Sequence, residues 1–451
     1  VPAGDDTGAS SYVPNSMAEK MNQAKFIILL AFVVEVGMLT FLRGKFGAFV
    51  SPLILFLASL FIGIYPIVLA YKRRIAGENP VARLSALKRT LPILIAVLGI
   101  TITAIFVSRI FQDYEINAER SDIIPCIDVM VSRFLNGAFP YKTVSEWGYD
   151  IYPNYLPLTW MPFILAKLLN IDFRWLAFAV LCLGILLYVL VLLTKNMSLA
   201  NCIFLSALPF AVLLTFMIFE PAIFGHSIET LIVGYYLILS LSIFSESVFY
   251  RAIGVTLCLL SRYSLIVWVP LYLIVVFFLE KRKNALYISA FALLAILIIY
   301  CVPFLSRDLY IFQRGSNYYN ICAIGEWNAR PFHLFRGVGF ACYFYNFLKG
   351  PLLDRLRLLQ STHIILSFLS VLIPGLLYIK LKKHVHYKLY LLCSLKIYFA
   401  FFYNFIQVPY MYLFLVPVVV SLVIVLEVFG LSRSSRQLEG SKIQTSLSNM
   451  K

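Results

Sequence analysis

Residues 90–110 read TLPILIAVLGITITAIFVSRI, an apolar run whose one internal charge, Arg109, lies at its far end. A helix of ~20 such residues crosses the hydrocarbon core of a bilayer. Immediately after it comes SDIIPCIDVMVSRFLNGAFPYKTVSEWGYDIYPNYLPL, residues 121–158, which is polar, rich in aromatic rings and opened by an acid. A solvent-facing loop trapped between spans is the simplest reading. The same alternation extends in both directions from this point. Of 451 residues, 61% are hydrophobic and 13% charged, and mean hydropathy is +0.86, far above that of a soluble domain. Strands are excluded, because barrel strands alternate polar with apolar residues and these runs do not. The fold class is therefore an all-α integral membrane protein, a polytopic helical bundle of roughly 11–13 membrane segments. Two outer-face loops carry amphipathic surface helices.

The net charge of +16 does not mark a nucleic-acid binder, because the basic residues cluster in short loops. Residues 72–89, 280–283 and 380–384 are such clusters, and Arg433, Arg436 and Lys442 follow the last span. By the positive-inside rule all four face the cytoplasm, which sends residues 113–156 and 306–361 to the outer face. The domain plan is a polar tail over 1–25, one membrane domain over 26–430 and a cytoplasmic tail over 431–451. Met17 is a candidate natural start, with the residues ahead of it either added sequence or a disordered tail. Residues 156–169, 175–193 and 199–219 are each expected to cross. Pro209 is expected to split the last of them, so that residues 220–229 lie outside. Residues 252–278, broken at Ser261-Arg262-Tyr263-Ser264, read as two short passes. The eight cysteines show no metal spacing; Cys322 and Cys342 share one loop and are a candidate disulfide.

In the first loop a surface helix begins at Ser121-Asp122 and ends at Asn136-Gly137, its apolar residues recurring at i+3 and i+4. A second surface helix is expected over 348–360. The succession of an acid (Asp122), a surface helix, Gly137, Pro140-Tyr141, Tyr152-Pro153 and Pro157-Leu158 resembles the first outer loop of GT-C fold membrane glycosyltransferases, the polyprenyl-phosphate-mannose-dependent enzymes among them. The turn Gly225-His226-Ser227-Ile228-Glu229 is similar to their polar turn before the middle spans. Two spans ahead of residue 90 depart from that pattern.

The resemblance implies an inverting transfer of a hexose or pentose from a polyprenyl-phosphate donor to a hydroxyl of a glycan, lipid or protein acceptor. It implies Asp122 as the catalytic base, with no metal and no cofactor. Such chemistry requires one group to take the acceptor proton and cations to hold the leaving phosphate. Arg262, Lys396 and Arg314 are the candidate phosphate ligands; a charge within a span is costly unless it meets a partner or a cavity. Candidate substrate contacts are Asp128, Tyr141, Tyr152, Glu220, His226, Glu229, Trp327, Arg330 and His333. Each has a plainer reading. Asp122 is a natural helix N-cap, Asp128 a solvated partner of Arg133, and the rings are interface aromatics. The expected setting is a bacterial inner membrane, with the site facing the periplasm or exterior. A glycan polymerase or ligase using lipid-diphosphate oligosaccharide, or a lipid or solute transporter, is the alternative.

Overall fold

The computed structural model describes residues 13–73 and 86–431. The basic loop over 74–85, the first residues of the N-terminal tail and the C-terminal tail from 432 lie outside the described residues. Among those described there is no strand, only one isolated bridge between Val144 and Ile151. The protein is an all-α polytopic membrane protein.

Helices α1 (Val13–Leu39) and α2 (Gly47–Arg73) form an antiparallel pair across a tight turn, and α3 (Ala86–Asp113) runs back toward that turn's level. The chain then stays at this end of the bundle, the Asp122 end, through α4 (Ile123–Leu135) and two short helices, α5 (Pro157–Trp160) and α6 (Phe163–Leu168). Helix α4 has the expected bounds and amphipathic form. Ile124, Ile127, Met130 and Val131 are buried beneath it, and Gly137 stops it with φ +71°. Helix α6, with six residues, spans about 9 Å and cannot cross a bilayer.

That shortness corrects the expected crossing at 156–169. The start of α7 (Phe173–Thr194) is pinned where α3 ends, because Arg174 donates to the carbonyls of Phe111 (3.2 Å), Tyr114 (2.6 Å) and Gly225 (3.0 Å). Helix α8 (Leu199–Phe219) is continuous through Pro209, so the expected split there is also corrected; a proline is tolerated when neighbouring helices hold the turn. One crossing fewer and one split fewer leave the parity unchanged. Glu220 and the short α9 (Pro221–His226) therefore lie at the Asp122 end, where Arg43 pairs with Glu220 at 2.5 Å.

Helix α10 (Glu229–Ser242) descends. Helices α11 (Val248–Leu259) and α12 (Val269–Leu279) form a hairpin broken over 260–268, as two short passes require. Arg251 and Glu280 close its base at 2.5 Å. Helix α13 (Arg282–Ile296) continues as a π-helical stretch, Leu297–Leu305, which contains Pro303. Helix α14 (Ile311–Ala329) is the surface helix of the second loop, followed by α15 (Ala341–Phe347). The helix expected over 348–360 is instead the first part of α16 (Leu352–Leu381), a 30-residue helix of about 45 Å. Its length exceeds the ~30 Å hydrocarbon core of a bilayer. Helices α17 (Tyr387–Asn404) and α18 (Leu415–Gly430) complete the bundle.

Among the described residues eight helices are long and apolar enough to span; three shorter apolar ones and the buried 18-residue α17 join them, within the expected roughly 11–13 segments. Burial separates centre from rim. The window at Met411–Gly430 is 89% buried, whereas those at Arg282–Leu305 and Leu352–Leu381 are 17% buried. A helix apolar on all sides belongs in the core, and α18 is there, beside α17 and α10. Cys322 and Cys342 are both free thiols, Cys342 being buried with its Sγ against the Ala48 and Gly339 carbonyls. The candidate disulfide is not formed.

Candidate functional site

Asp122 occupies the N-cap position of α4 but makes no side-chain capping bond. Among the described residues no side-chain donor or ion-pair partner holds its carboxylate, which accepts from its own backbone N–H. Burial raises its pKa above the ordinary carboxyl range; that backbone bond and then Arg330 pull the other way, and Glu326 reinforces the rise. Around it stand Tyr149 and Tyr155 from the first loop and Tyr318 and Cys322 from α14, all within its electrostatic reach. Loop and surface helix therefore meet over one acid that has no side-chain partner. The bridge between Val144 and Ile151 shapes the first loop, and Val144, Ile151 and Cys126 bury a small apolar floor under it.

The second loop contributes a linked set. His333 Nδ1 lies 2.6 Å from a Glu326 carboxylate oxygen, and Arg330 reaches the other oxygen at 3.9 Å. Trp327 is fully buried with its indole N–H donated to the Gln407 carbonyl at 2.9 Å; it anchors α14 and does not face a ligand. That corrects its expected role as a substrate contact. Arg330 remains exposed beside Asp122.

Glu229 and Arg262 form a bidentate pair at 2.8 and 2.6 Å, Glu229 at the start of α10 and Arg262 in the break of the hairpin. Tyr412 lies close enough to feel both this pair and Asp122, so the pair sits beneath the same polar cluster. Arg262 keeps a partly exposed edge, with Glu229 closed off behind it. Tyr236 and Tyr403 both bond to Ser264 and brace the break. Lys396 is placed elsewhere. Its ammonium is fully buried among α1, α17 and α18, donating to Glu35 and to the Pro417 carbonyl, while Ser421 donates to Glu35 at 2.6 Å. Contact with a donor phosphate is corrected for Lys396, because three helices enclose it.

Asp128 pairs with Lys167 of α6 at 2.6 Å, not with Arg133, which donates instead to the Lys142 and Thr143 carbonyls at 2.5 and 3.0 Å. A carboxylate on the α6 side of α4 does not join the Asp122 cluster. Tyr141 is 2% exposed, donates to the Tyr155 carbonyl at 2.9 Å and accepts from Trp160 at 3.2 Å. With Trp160 and Phe304 it forms an aromatic support for the loop. His226 stacks edge-on against Tyr114 and lies next to Ser121, whose hydroxyl donates to its carbonyl at 2.9 Å. Burial, then the charges of Arg120 and Arg174, hold its imidazole below the ordinary range. Glu220 serves Arg43, as described above.

Arg314, at the start of α14, lines a cavity of about 610 Å³ together with Tyr152, Lys142, Arg307 and Asp308. Lys142 and Arg307 escaped the sequence reading. The signal for Lys142 was its place directly after Pro140-Tyr141; nothing in the pattern around Arg307 distinguished it from a residue that merely ends a span. Comparison with protein-family models, with curated proteins and with solved structures returned no match.

Proposed function

We propose that this chain is an integral-membrane, inverting glycosyltransferase of the GT-C type. It would move one hexose or pentose from a polyprenyl-phosphate donor to a hydroxyl acceptor at the Asp122 end of the bundle. The observation that carries this reading is the Asp122 carboxylate, which has no side-chain partner among the described residues and is half-buried among tyrosines where both surface loops converge. Carboxylates used only for structure are paired, as Asp128 and Glu220 are here.

In the proposed step the acceptor oxygen attacks the anomeric carbon opposite the leaving phosphate, and Asp122 takes the hydroxyl proton. The carbon–oxygen bond to phosphate breaks, the electron pair leaves with the phosphate, and the configuration inverts. Arg330, the exposed cation in the field of Asp122, supports the growing phosphate charge. The tyrosine rings offer faces to the sugar. A raised pKa suits a base, since a stronger base takes the proton more readily once ionised. The basic segments at 280–283 and 380–384 lie at the opposite end, which by the positive-inside rule turns Asp122 outward, toward the periplasm in a bacterial inner membrane.

Asp122→Asn tests the reading directly. A positioned base contributes about 10²–10⁴-fold in rate, and transfer of a radiolabelled sugar from polyprenyl phosphate should fall by that much. Asparagine removes the burial cost of a charge, so the melting temperature at neutral pH should hold or rise. The sign follows from the raised folded-state pKa: burial favours the protonated form, so the acid's contribution to stability is lost as pH climbs through that pKa. Wild-type transfer should accordingly increase with pH across the Asp122 titration. Transfer near wild type in a folded Asp122→Asn protein sinks the proposal.

A further inference from the structure

The cavity at the start of α14 neighbours the Asp122 cluster but is walled by different residues: neither Asp122 nor any of Tyr149, Tyr155, Tyr318, Cys322 and Arg330 lines it. Arg314 sits in the first turn of α14, about 6 Å along the axis before Tyr318. Three cations, Lys142, Arg307 and Arg314, line the cavity, against one carboxylate, Asp308. Asp308 is committed to Arg314, and its other carboxylate oxygen caps the Tyr310 N–H at 3.0 Å. Among the described residues no carboxylate pairs with Lys142 or Arg307.

The cavity also holds an unmet donor. The Tyr152 hydroxyl is buried without a hydrogen-bond partner among the described residues, and the guanidinium of Arg314 lies over the Tyr152 ring at 5.8 Å. Five other buried tyrosine hydroxyls among the described residues are also unpartnered, but Tyr152 is the one of the six that lines this cavity, and buried hydroxyls are nearly always satisfied. The site's location adds a third constraint. It lies where the π-helical end of α13 reaches the Asp122 end, and Val302, Leu309, Tyr310 and Phe312 expose apolar side chains there. Cations with apolar flanks at the end of a span match a headgroup anchored in lipid.

We propose that this cavity binds a phosphate group, as a site additional to the Asp122 cluster. Lys142, Arg307 and Arg314 supply charge, and Tyr152 donates one hydrogen bond to a phosphate oxygen. Lipid-borne and free phosphate share this chemistry, and the site does not depend on Asp122 transferring a sugar.

The test uses the full chain in detergent micelles, titrated with short-chain phosphatidic acid, with the matching diacylglycerol and with inorganic phosphate. Phosphatidic acid should bind and diacylglycerol should not. A charge-assisted hydrogen bond lost with each cation should weaken binding roughly tenfold in Lys142→Ala and in Arg307→Ala, while Lys142→Arg should restore most of it. Tyr152→Phe, which keeps the ring, should weaken it by a smaller factor. Competition by inorganic phosphate at equal concentration would identify the source as free phosphate; failure to compete would identify a lipid. Equal binding of diacylglycerol and phosphatidic acid overturns the proposal. So does unchanged affinity in a Lys142→Ala, Arg307→Ala protein whose melting curve shows it folded. Asp122→Asn should bind phosphatidic acid like the wild type, so loss of transfer and loss of this site are read separately.

Discussion

Charge is handled in opposite ways at the two levels of this molecule. Inside the bundle Lys396 and Arg262 each have a dedicated counter-charge, Glu35 and Glu229, and at the base of the hairpin Arg251 has Glu280. At the Asp122 end, Asp122, Lys142 and Arg307 have none among the described residues. Hydrocarbon makes an unpaired charge costly, so pairing there is a condition of folding and says little about chemistry. Water relaxes that condition. Charges left open at the aqueous end are available to a ligand, and function is therefore sought there.

Stripping a buried charge of its partner has the largest expected effect. Glu229→Gln leaves Arg262 without its carboxylate and should cost about 3–5 kcal/mol, seen as a large drop in apparent melting temperature. Removing both charges, as Glu229→Gln with Arg262→Met, should recover much of that loss, because no lone ion remains. If the double variant were less stable than Glu229→Gln alone, Arg262 would hold the hairpin break by contacts other than the ion pair. Transfer should survive in the double variant at a level far above that of Asp122→Asn. A collapse to the same level would move Arg262 from the structural population into the reacting one.

Much of the fold was legible because bilayer length and apolar runs leave few options. The bounds of α4 followed from its periodicity and from Asn136-Gly137, and the hairpin break followed from a four-residue polar interruption. Residues 156–169 were misread for a physical reason. Apolar composition alone does not distinguish a span from short helices lodged at the interface, and Pro157 and Pro162 cut this segment into pieces too short to cross. Pro209 misled in the opposite direction: packing against α3 overrode the local break, with Phe210 pressed onto Gly99. In the site, Asp122 was legible by position. The pairings of Arg262 and Lys396 were not: Glu229 lies 33 residues before Arg262 and Glu35 361 before Lys396, and no local pattern announces a contact between α10 and the hairpin break or between α1 and α17.

Close backbone packing inside the bundle predicts an effect of middle size. Helices α7 and α10 cross where Gly234 faces the backbone of Val180, and a Cβ placed on Gly234 would stand 2.9 Å from that carbonyl oxygen. Backbone cannot swing aside as a side chain does. Gly234→Ala should therefore cost about 1–3 kcal/mol by overpacking, measured as a lower melting temperature. Since Glu229 begins α10, displacement of that helix should also disturb the pair with Arg262. A Gly234→Ala protein that melts like the wild type would mean that α7 shifts freely, and the interior would be less tightly specified than its paired charges imply.

The smallest effect separates the two acids of α4. Asp128 and Asp122 share one helix, yet Asp128 is committed to Lys167 and its side chain is 43% exposed. An ion pair in contact with water contributes about 0–1 kcal/mol after screening and side-chain entropy are counted. Asp128→Asn should thus shift the melting temperature very little. Because Lys167 remains exposed, losing its partner strands no charge in an apolar setting, which is the contrast with Glu229→Gln. Transfer should also stay near the wild-type rate, since the carboxylate is turned toward α6 and away from the tyrosines around Asp122. If Asp128→Asn abolished transfer while Asp122→Asn did not, pairing would have failed as a guide to role at this end of the bundle. The base would then be the acid that holds a salt bridge at rest and releases it to react.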